Sequence, residues 1–235
     1  MMRVVGAQRT VLLVHGAWHG GWCWERVGRL LADAEVPCVS VDNPSVVAAP
    51  SDLAADSENV RRVLDTIDGP VLLVGHSYGG AVVTDAGTNE NVEALVYLAA
   101  FALDAGESVV ANDLQGGEDT KLAEAVSFGD DLISVDPQRA VELFFHDCDQ
   151  EVAECARGRL MPMSMAAMQD VTRSVAWREK PATYIVCSDD RALPVPLQMS
   201  NAARVGGEPL ELATSHSPFL SQPAALAELL TELSR

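Results

Sequence analysis

The sequence is short of positive charge. It sets 16 Lys and Arg against 34 Asp and Glu, a formal net charge of −18. A surface with that balance repels phosphate backbones and anionic lipid, which argues against nucleic acid and the membrane surface as partners. Cysteine is sparse and odd in number: five residues, at positions 23, 38, 148, 155 and 187, with no C-x-x-C pair. That speaks against a disulfide framework and a zinc knuckle, and leaves free, mostly buried thiols in a reducing cytoplasm as the expectation. Long hydrophobic runs are missing too. The first, Thr10 to Val14, is about five residues long, far below the ~18 that a bilayer span needs. The N-terminal stretch Met1 to Arg9 is short and mixed, so no export segment is expected there. The chain has no Gly/Ser linker, internal repeat or low-complexity tract. The expected location is cytoplasmic.

What is present is an ordinary globular composition: 235 residues, 48% apolar and 21% charged. That length fits one α/β domain and would cramp two. Strand-like and helix-like segments alternate. Thr10–Val14, Pro37–Val41, Pro70–Val74, Val92–Ala99 and Ala182–Cys187 are short apolar runs that read as buried strands, with Leu210–Ala213 a weaker sixth. Between them, Trp24–Ala34 and Leu53–Ile67 carry apolar residues at helical spacing, Gly80–Ala86 begins a third helix, and Pro223–Leu233 closes the chain as another. Continuous apolar strands separated by amphipathic helices predict a mostly parallel sheet covered on both faces. The alternation lapses between about Asp104 and Trp177, where Asp136-Pro137 starts one helix and Asp149–Leu160 reads as another. The expected organisation is therefore a core from 1–104 and 178–235, interrupted by a helical cap at 105–177.

The strongest local signal is Gly75-His-Ser-Tyr-Gly-Gly80, a G-x-S-x-G sequence between a strand and a helix. In that setting the serine sits on a tight turn with its hydroxyl presented at the sheet edge, and the helix N-terminus behind it favours negative charge. Ser77 is thus a candidate nucleophile. A serine hydroxyl needs a base, and the base an orienting acid, in the chain order Ser, acid, His. Two histidines follow Ser77. His146 lies in the insertion and reads as a helix-end residue, whereas His216 sits in a loop between the last strand and the last helix, where a base belongs. His76 should point away from the nucleophile into strand–helix packing. Three acids compete: Asp189 and Asp190 after the strand ending at Cys187, and Asp104 after the strand ending near Ala100; spacing does not separate them.

An oxyanion site needs two backbone N–H groups. Tyr78, the residue after the serine, supplies one. Ala17 is the candidate for the other, in the loop His15-Gly-Ala-Trp-His-Gly-Gly-Trp22, where Gly16 allows close approach. His15 and His19, four apart, lack helical context and a third ligand, so no metal site is expected. The Met-rich stretch Leu160–Met168, with Met161 and Met163, and Trp18 are candidate apolar contacts for a substrate, with ordinary core packing as the competing reading. Arg157, Arg159 and Arg173 are expected mostly to face solvent.

Together these pieces resemble the α/β-hydrolase superfamily, and more narrowly the small esterases grouped with plant methylesterases, hydroxynitrile lyases and bacterial pyrethroid-hydrolase-like proteins. The residues that carry the resemblance are His15 to Trp24, Gly75 to Gly80, Tyr184-Ile-Val-Cys-Ser-Asp-Asp-Arg-Ala-Leu-Pro194 and Ser215-His-Ser-Pro-Phe-Leu220. It implies that the acid lies four residues before the Pro of the third block, which selects Asp190. It also implies hydrolysis of small to medium apolar carboxylic esters without a cofactor, with a homodimer left open; cleavage of a cyanohydrin or a carbon–carbon bond by the same Ser and His is the catalytic alternative. The lyase branch uses a Thr beside the first His and a Lys after the catalytic His; here those positions hold Gly16 and Ser217, which favours the esterases. A ligand receptor on the same fold is the non-catalytic alternative. The chain departs from the resemblance at Asp42-Asn-Pro-Ser-Val46, where relatives have a Gly-rich turn.

Overall fold

The computed structural model describes residues 8–47, 51–116 and 121–235. The expectation for the N-terminal stretch therefore lies, through residue 7, outside the described residues. β1 (Thr10–Val14) leads through a short 3-10 turn into α1 (Glu25–Asp33), then β2 (Cys38–Val41), α2 (Pro44–Val47), α3 (Leu53–Leu64), β3 (Val71–His76), α4 (Gly79–Ala86) and β4 (Val92–Leu98). Successive strand residues point to opposite sides of a sheet, and all six residues of β3 are buried, so both faces of the sheet are covered. α1 packs on α11 (Pro223–Leu233) and α3 on α4, which buries the apolar stripes that the sequence spacing predicted.

Between β4 and the next core strand lies the insertion. It holds α5 (Val109–Asp113), β5 (Val126–Gly129), β6 (Leu132–Val135), α6 (Pro137–Phe144), α7 (Gln150–Arg157), β7 (Met163–Ser164) and α8 (Met165–Gln169). α6 begins as the sequence predicts: Asp136 accepts from the N–H groups of Gln138 and Arg139, and Pro137 takes the first turn. The expectation of a helical insertion needs one addition. β5, β6 and β7 form a three-stranded antiparallel sheet, turned at Asp130 and Asp131, both with positive φ. These strands are two to four residues long, too short to show a period in sequence.

The chain then returns through β8 (Ala182–Cys187), α9 (Val195–Val205), β9 (Leu210–Leu212), α10 (Pro218–Ser221) and α11. The core sheet runs β2-β1-β3-β4-β8-β9, every pair parallel. α9 escapes sequence periodicity because its buried face includes Gln198 and Asn201. All five cysteines are free; Cys23 and Cys187 are buried, and burial pushes both thiols up. No helix among the described residues is long and apolar enough to cross a membrane.

Candidate active site

The strand–turn–helix from β3 to α4 is tighter than side chains permit. A Cβ at Gly75 would lie 2.5 Å from the carbonyl oxygen of Gly79, and one at Gly79 would lie 2.6 Å from that of Val14. With glycine at both positions α4 closes directly onto β1 and β3, and the turn falls on Ser77. Its φ is +52°, a region that costs a non-glycine residue free energy and persists only where the surroundings enforce it. The enforcement is visible. Ser77 N–H donates to Leu98 (3.2 Å), and its carbonyl accepts from Gly80 (2.9 Å) and Phe101 (3.2 Å).

His216 and Asp190 come from two loops at the C-terminal ends of β8 and β9. His216 Nδ1 donates to Asp190 Oδ2 at 2.6 Å, and the Asp190 carboxylate is wholly buried. A carboxylate can only accept here, so Nδ1 carries the proton and Nε2 is left as an acceptor. Asp190 is fixed from every side: Oδ1 accepts from the N–H groups of Ala192 (2.8 Å) and Leu193 (2.9 Å), and Oδ2 also accepts from Gln198 Nε2 (3.0 Å). The other two acids are elsewhere. Asp189 is exposed, and the half-buried Asp104 pairs with Arg178 at 2.6 Å. His146, just past the end of α6, donates to the carbonyl of Asp189 at 2.9 Å.

His76 does not simply retreat into strand–helix packing. Its ring lies 4.6 Å from that of His216, and its Nε2 donates to the His216 carbonyl at 2.9 Å. It is thus a floor beneath the candidate base. Burial holds its pKa well below the ordinary histidine value, so the floor is uncharged.

The loop after β1 lies against the elbow. A Cβ at Gly16 would stand 2.8 Å from Ser77 Cβ and 2.9 Å from His76 Nδ1. The next residue, Ala17, is buried, as is Tyr78. Among the described residues no hydrogen bond uses the N–H of Ala17 or of Tyr78. Two buried backbone donors left free beside one serine are uncommon, because such groups are almost always paired.

His15 and His19, the pair weighed as metal ligands, serve the loop instead. His15 Nδ1 donates to Gly16 and its Nε2 accepts from Asn43 N–H; His19 Nδ1 donates to the Ala17 carbonyl at 2.7 Å. Burial lowers the pKa of His15 and takes that of His19 down to about 3.

Trp18, at φ +60°, donates its indole N–H to Ile133 of β6 and stacks on Phe144 at 5.8 Å, which ties the loop to the insertion. Met163 is wholly buried in β7 opposite Ile133. Met161 lines outward grooves whose walls include neither Ser77 nor His216. No described contact brings either methionine to the serine. The insertion arginines engage carboxylates at the surface: Arg157 with Glu154, Arg159 with Glu25 and Arg173 with Asp170. Gln198 is the residue that sequence reasoning missed. Nothing in its local sequence marks it, because Asn201 shares the same buried helix face.

Known proteins resemble this chain at a distance. The norfluorocurarine synthase 2 of Strychnos sp is 27% identical over 97% of this chain and 96% of its own. A carbendazim hydrolyzing esterase of Nocardioides sp. (strain SG-4G) is 36% identical over 110 residues, 43% of this chain and 45% of its own. The crystal structure of a pyrethroid hydrolase from Sphingobium faniae JZ-2 superposes with a TM-score of 0.84 at 24% identity, covering 96% of this chain and 97% of that one. The profile of the alpha/beta hydrolase family runs from residue 11 to residue 229, through the elbow, the insertion and both loops that carry Asp190 and His216, and the chain belongs to that family.

Proposed function

We propose that the chain is a serine carboxylesterase for small to medium apolar esters. The observation that carries this reading is the 2.6 Å hydrogen bond from His216 Nδ1 to the buried Asp190, which leaves Nε2 as a base in a ring that lies over the chain neighbour of Ser77. Ser77 Oγ attacks the ester carbonyl and His216 Nε2 takes its proton. Asp190 steadies the imidazolium so formed. The N–H groups of Ala17 and Tyr78 receive the negative oxygen of the tetrahedral intermediate. When the intermediate collapses, His216 protonates the departing alcohol. Water, deprotonated by the same ring, then releases the acid from Ser77. Side chains, two backbone donors and water complete the cycle, so the chemistry calls for no cofactor.

The bacterial relatives named for carbendazim and pyrethroid hydrolysis support the esterase side of the family. Ser217 also favours it, because a neutral, buried hydroxyl supplies no positive charge to a departing cyanide. The test is steady-state hydrolysis of p-nitrophenyl acetate by the wild type and by Ser77→Ala. Sustained turnover that vanishes in the variant is expected. Binding without turnover in the wild type would make the protein a receptor, cyanide release from mandelonitrile would make it a lyase, and full activity in Ser77→Ala would remove the serine from the mechanism.

A further inference from the structure

Asp56, in the first turn of α3, is a buried carboxylate outside the Ser77–His216–Asp190 set. It accepts three hydrogen bonds: from Ser45 N–H at 2.8 Å, from Ser45 Oγ at 2.5 Å and from Tyr78 Oη at 2.6 Å. None of these donors is a cation. A carboxylate buried in that way is costly and is kept only where hydrogen bonds satisfy it. Burial pushes its pKa above the ordinary aspartate value and pushes the Tyr78 phenol well up, so the phenol stays a protonated donor.

The far end of this contact explains what it does. Tyr78 is the residue whose backbone N–H stands free beside Ser77. Its carbonyl is held by Ala81 N–H at 2.9 Å, and its side chain by Asp56. Those two anchors, with the constrained Ser77 on its other side, determine where the N–H points. The second free N–H, that of Ala17, is reached from the same stretch of chain. Asn43, two residues before Ser45, donates its own N–H to His15 Nε2 at 3.0 Å and its amide Nδ2 to the His15 carbonyl at 3.0 Å. His15 in turn donates Nδ1 to the Gly16 carbonyl at 2.8 Å. So 43–45 braces both donor loops, one through His15 and one through Asp56.

We propose that Asp56, working with Asn43 and Ser45, is a positioning residue that aims the Tyr78 N–H, and with it the paired donor site, at the oxygen that becomes negative during ester cleavage. The proposal rests on the esterase reading above. Asp56 touches no reacting atom. Its effect appears where charge develops on that oxygen and not where neutral substrate binds.

The experiment uses Tyr78→Phe and Asp56→Ser, measured with p-nitrophenyl acetate and corrected for active sites by titration with a phosphonate. Removing an oxyanion donor outright costs about 10²–10³ in kcat. A donor kept but misaimed is expected to cost ~10- to 100-fold, with KM within about twofold of wild type. The second readout is a phenethyl trifluoromethyl ketone. Ser77 Oγ adds to its carbonyl carbon, the hydroxyl proton passes to His216, and the carbonyl oxygen becomes an oxyanion in the same site. Its Ki should rise by the same factor as kcat falls, while Ki for the corresponding trifluoromethyl alcohol stays unchanged. Asp56→Asn should keep most of the activity, because its amide can donate to the phenol oxygen and its carbonyl can accept from Ser45. Tyr78→Phe combined with Asp56→Ser should lose no more than the worse single variant, since both break one link.

Titrated kcat and ketone Ki within twofold of wild type in Tyr78→Phe would overturn the proposal; if that variant does not fold, Asp56→Ser decides on the same criterion. A rise of KM and of alcohol Ki in step with the fall in kcat would also overturn it, because the binding pocket would then be what moved. Ser77→Ala separates the two levels. Activity surviving that change removes the serine mechanism on which the proposal rests, whereas activity abolished there but intact in Tyr78→Phe removes only the role of Asp56.

Discussion

Asp190→Asn is the substitution for which the structure fixes the outcome most closely. Oδ1 of Asp190 accepts two backbone N–H groups, from Ala192 and Leu193, and Oδ2 accepts from Gln198 Nε2 and His216 Nδ1. An asparagine must put its NH₂ at one of these oxygens. At the Oδ1 position it would face two backbone donors that cannot turn away. At the Oδ2 position it faces Gln198 and the imidazole, and the imidazole can respond by changing tautomer. Gln198 has less freedom, because its Oε1 accepts from Cys187 N–H at 2.9 Å and would lose that bond on flipping. The amide therefore settles toward His216, Nδ1 becomes an acceptor, and the proton moves to Nε2, where it blocks proton transfer from Ser77. The equivalent change in a serine protease lowers kcat ~10⁴-fold, about 5.5 kcal/mol in barrier height. The same order is expected here, in p-nitrophenyl acetate turnover at neutral pH, with KM little changed and the fold intact by circular dichroism. Asp189→Asn is the matched control and should stay within about threefold, since that side chain is exposed. An Asp190→Asn enzyme within tenfold of wild type, or an Asp189→Asn enzyme as damaged as expected for its neighbour, would refute the reasoning.

Gln198→Leu removes a donor from Asp190 and strands Cys187 N–H, so stability should fall by about 2–4 kcal/mol, summing one charge-assisted and one neutral hydrogen bond, and kcat should fall about tenfold; unchanged chemical denaturation would contradict this. His15, His19 and His76 are all buried with lowered pKa, so below about pH 6.5 the unfolded chain takes up protons that the native one refuses. Stability is thus fully present above that pH and lost as pH falls toward the native values, at up to about 1.4 kcal/mol per histidine per pH unit; a urea midpoint flat from pH 6.5 to 5 would be inconsistent. Because Arg157, Arg159 and Arg173 all engage surface carboxylates, acyl esters with a terminal carboxylate should show lower kcat/KM than neutral esters of equal length. A preference for the charged series would place an arginine in the pocket.

The elbow and the candidate base were legible in sequence because each rests on a local rule. Glycines at 75 and 79 are demanded by contacts below 3 Å, and His216 follows a strand at the edge where such loops gather. Which of the neighbours Asp189 and Asp190 meets His216 was legible only with the resemblance, since backbone twist decides which one turns inward. Gln198 and Asp56 were not legible at all. Each is a polar residue on the buried side of a helix, where an apolar residue is the rule, and its reason is a partner at least eight positions away in the chain: Asp190 for Gln198 and Tyr78 for Asp56. The insertion sheet was hidden for another reason. Its pairing is antiparallel between very short strands, including an exposed Phe128, so neither burial nor period announces it.

The same long-range contacts limit how the insertion can move. The end of α6 is bound to the base loop by two hydrogen bonds: Ser215 N–H donates to Asp147 Oδ2 at 2.9 Å, and Ser215 Oγ donates to the Phe144 carbonyl at 2.9 Å. His146 adds a third bond to the loop of Asp190, and the ring of Phe144 lies 5.7 Å from that of His216. At a net ~1 kcal/mol for each bond, lifting this corner costs about 3 kcal/mol before any apolar contact is counted, which leaves it raised in under about 1% of molecules. A raised corner would also leave the His216 loop without these supporting bonds. Substrate that needed this end of α6 to open would therefore meet the proposed base on a loop that had lost its supports. Entry that keeps the His216 loop in place must instead displace parts of the insertion that are not bonded to it, and α6 behaves as a strut of the loops that carry Asp190 and His216 more than as a lid.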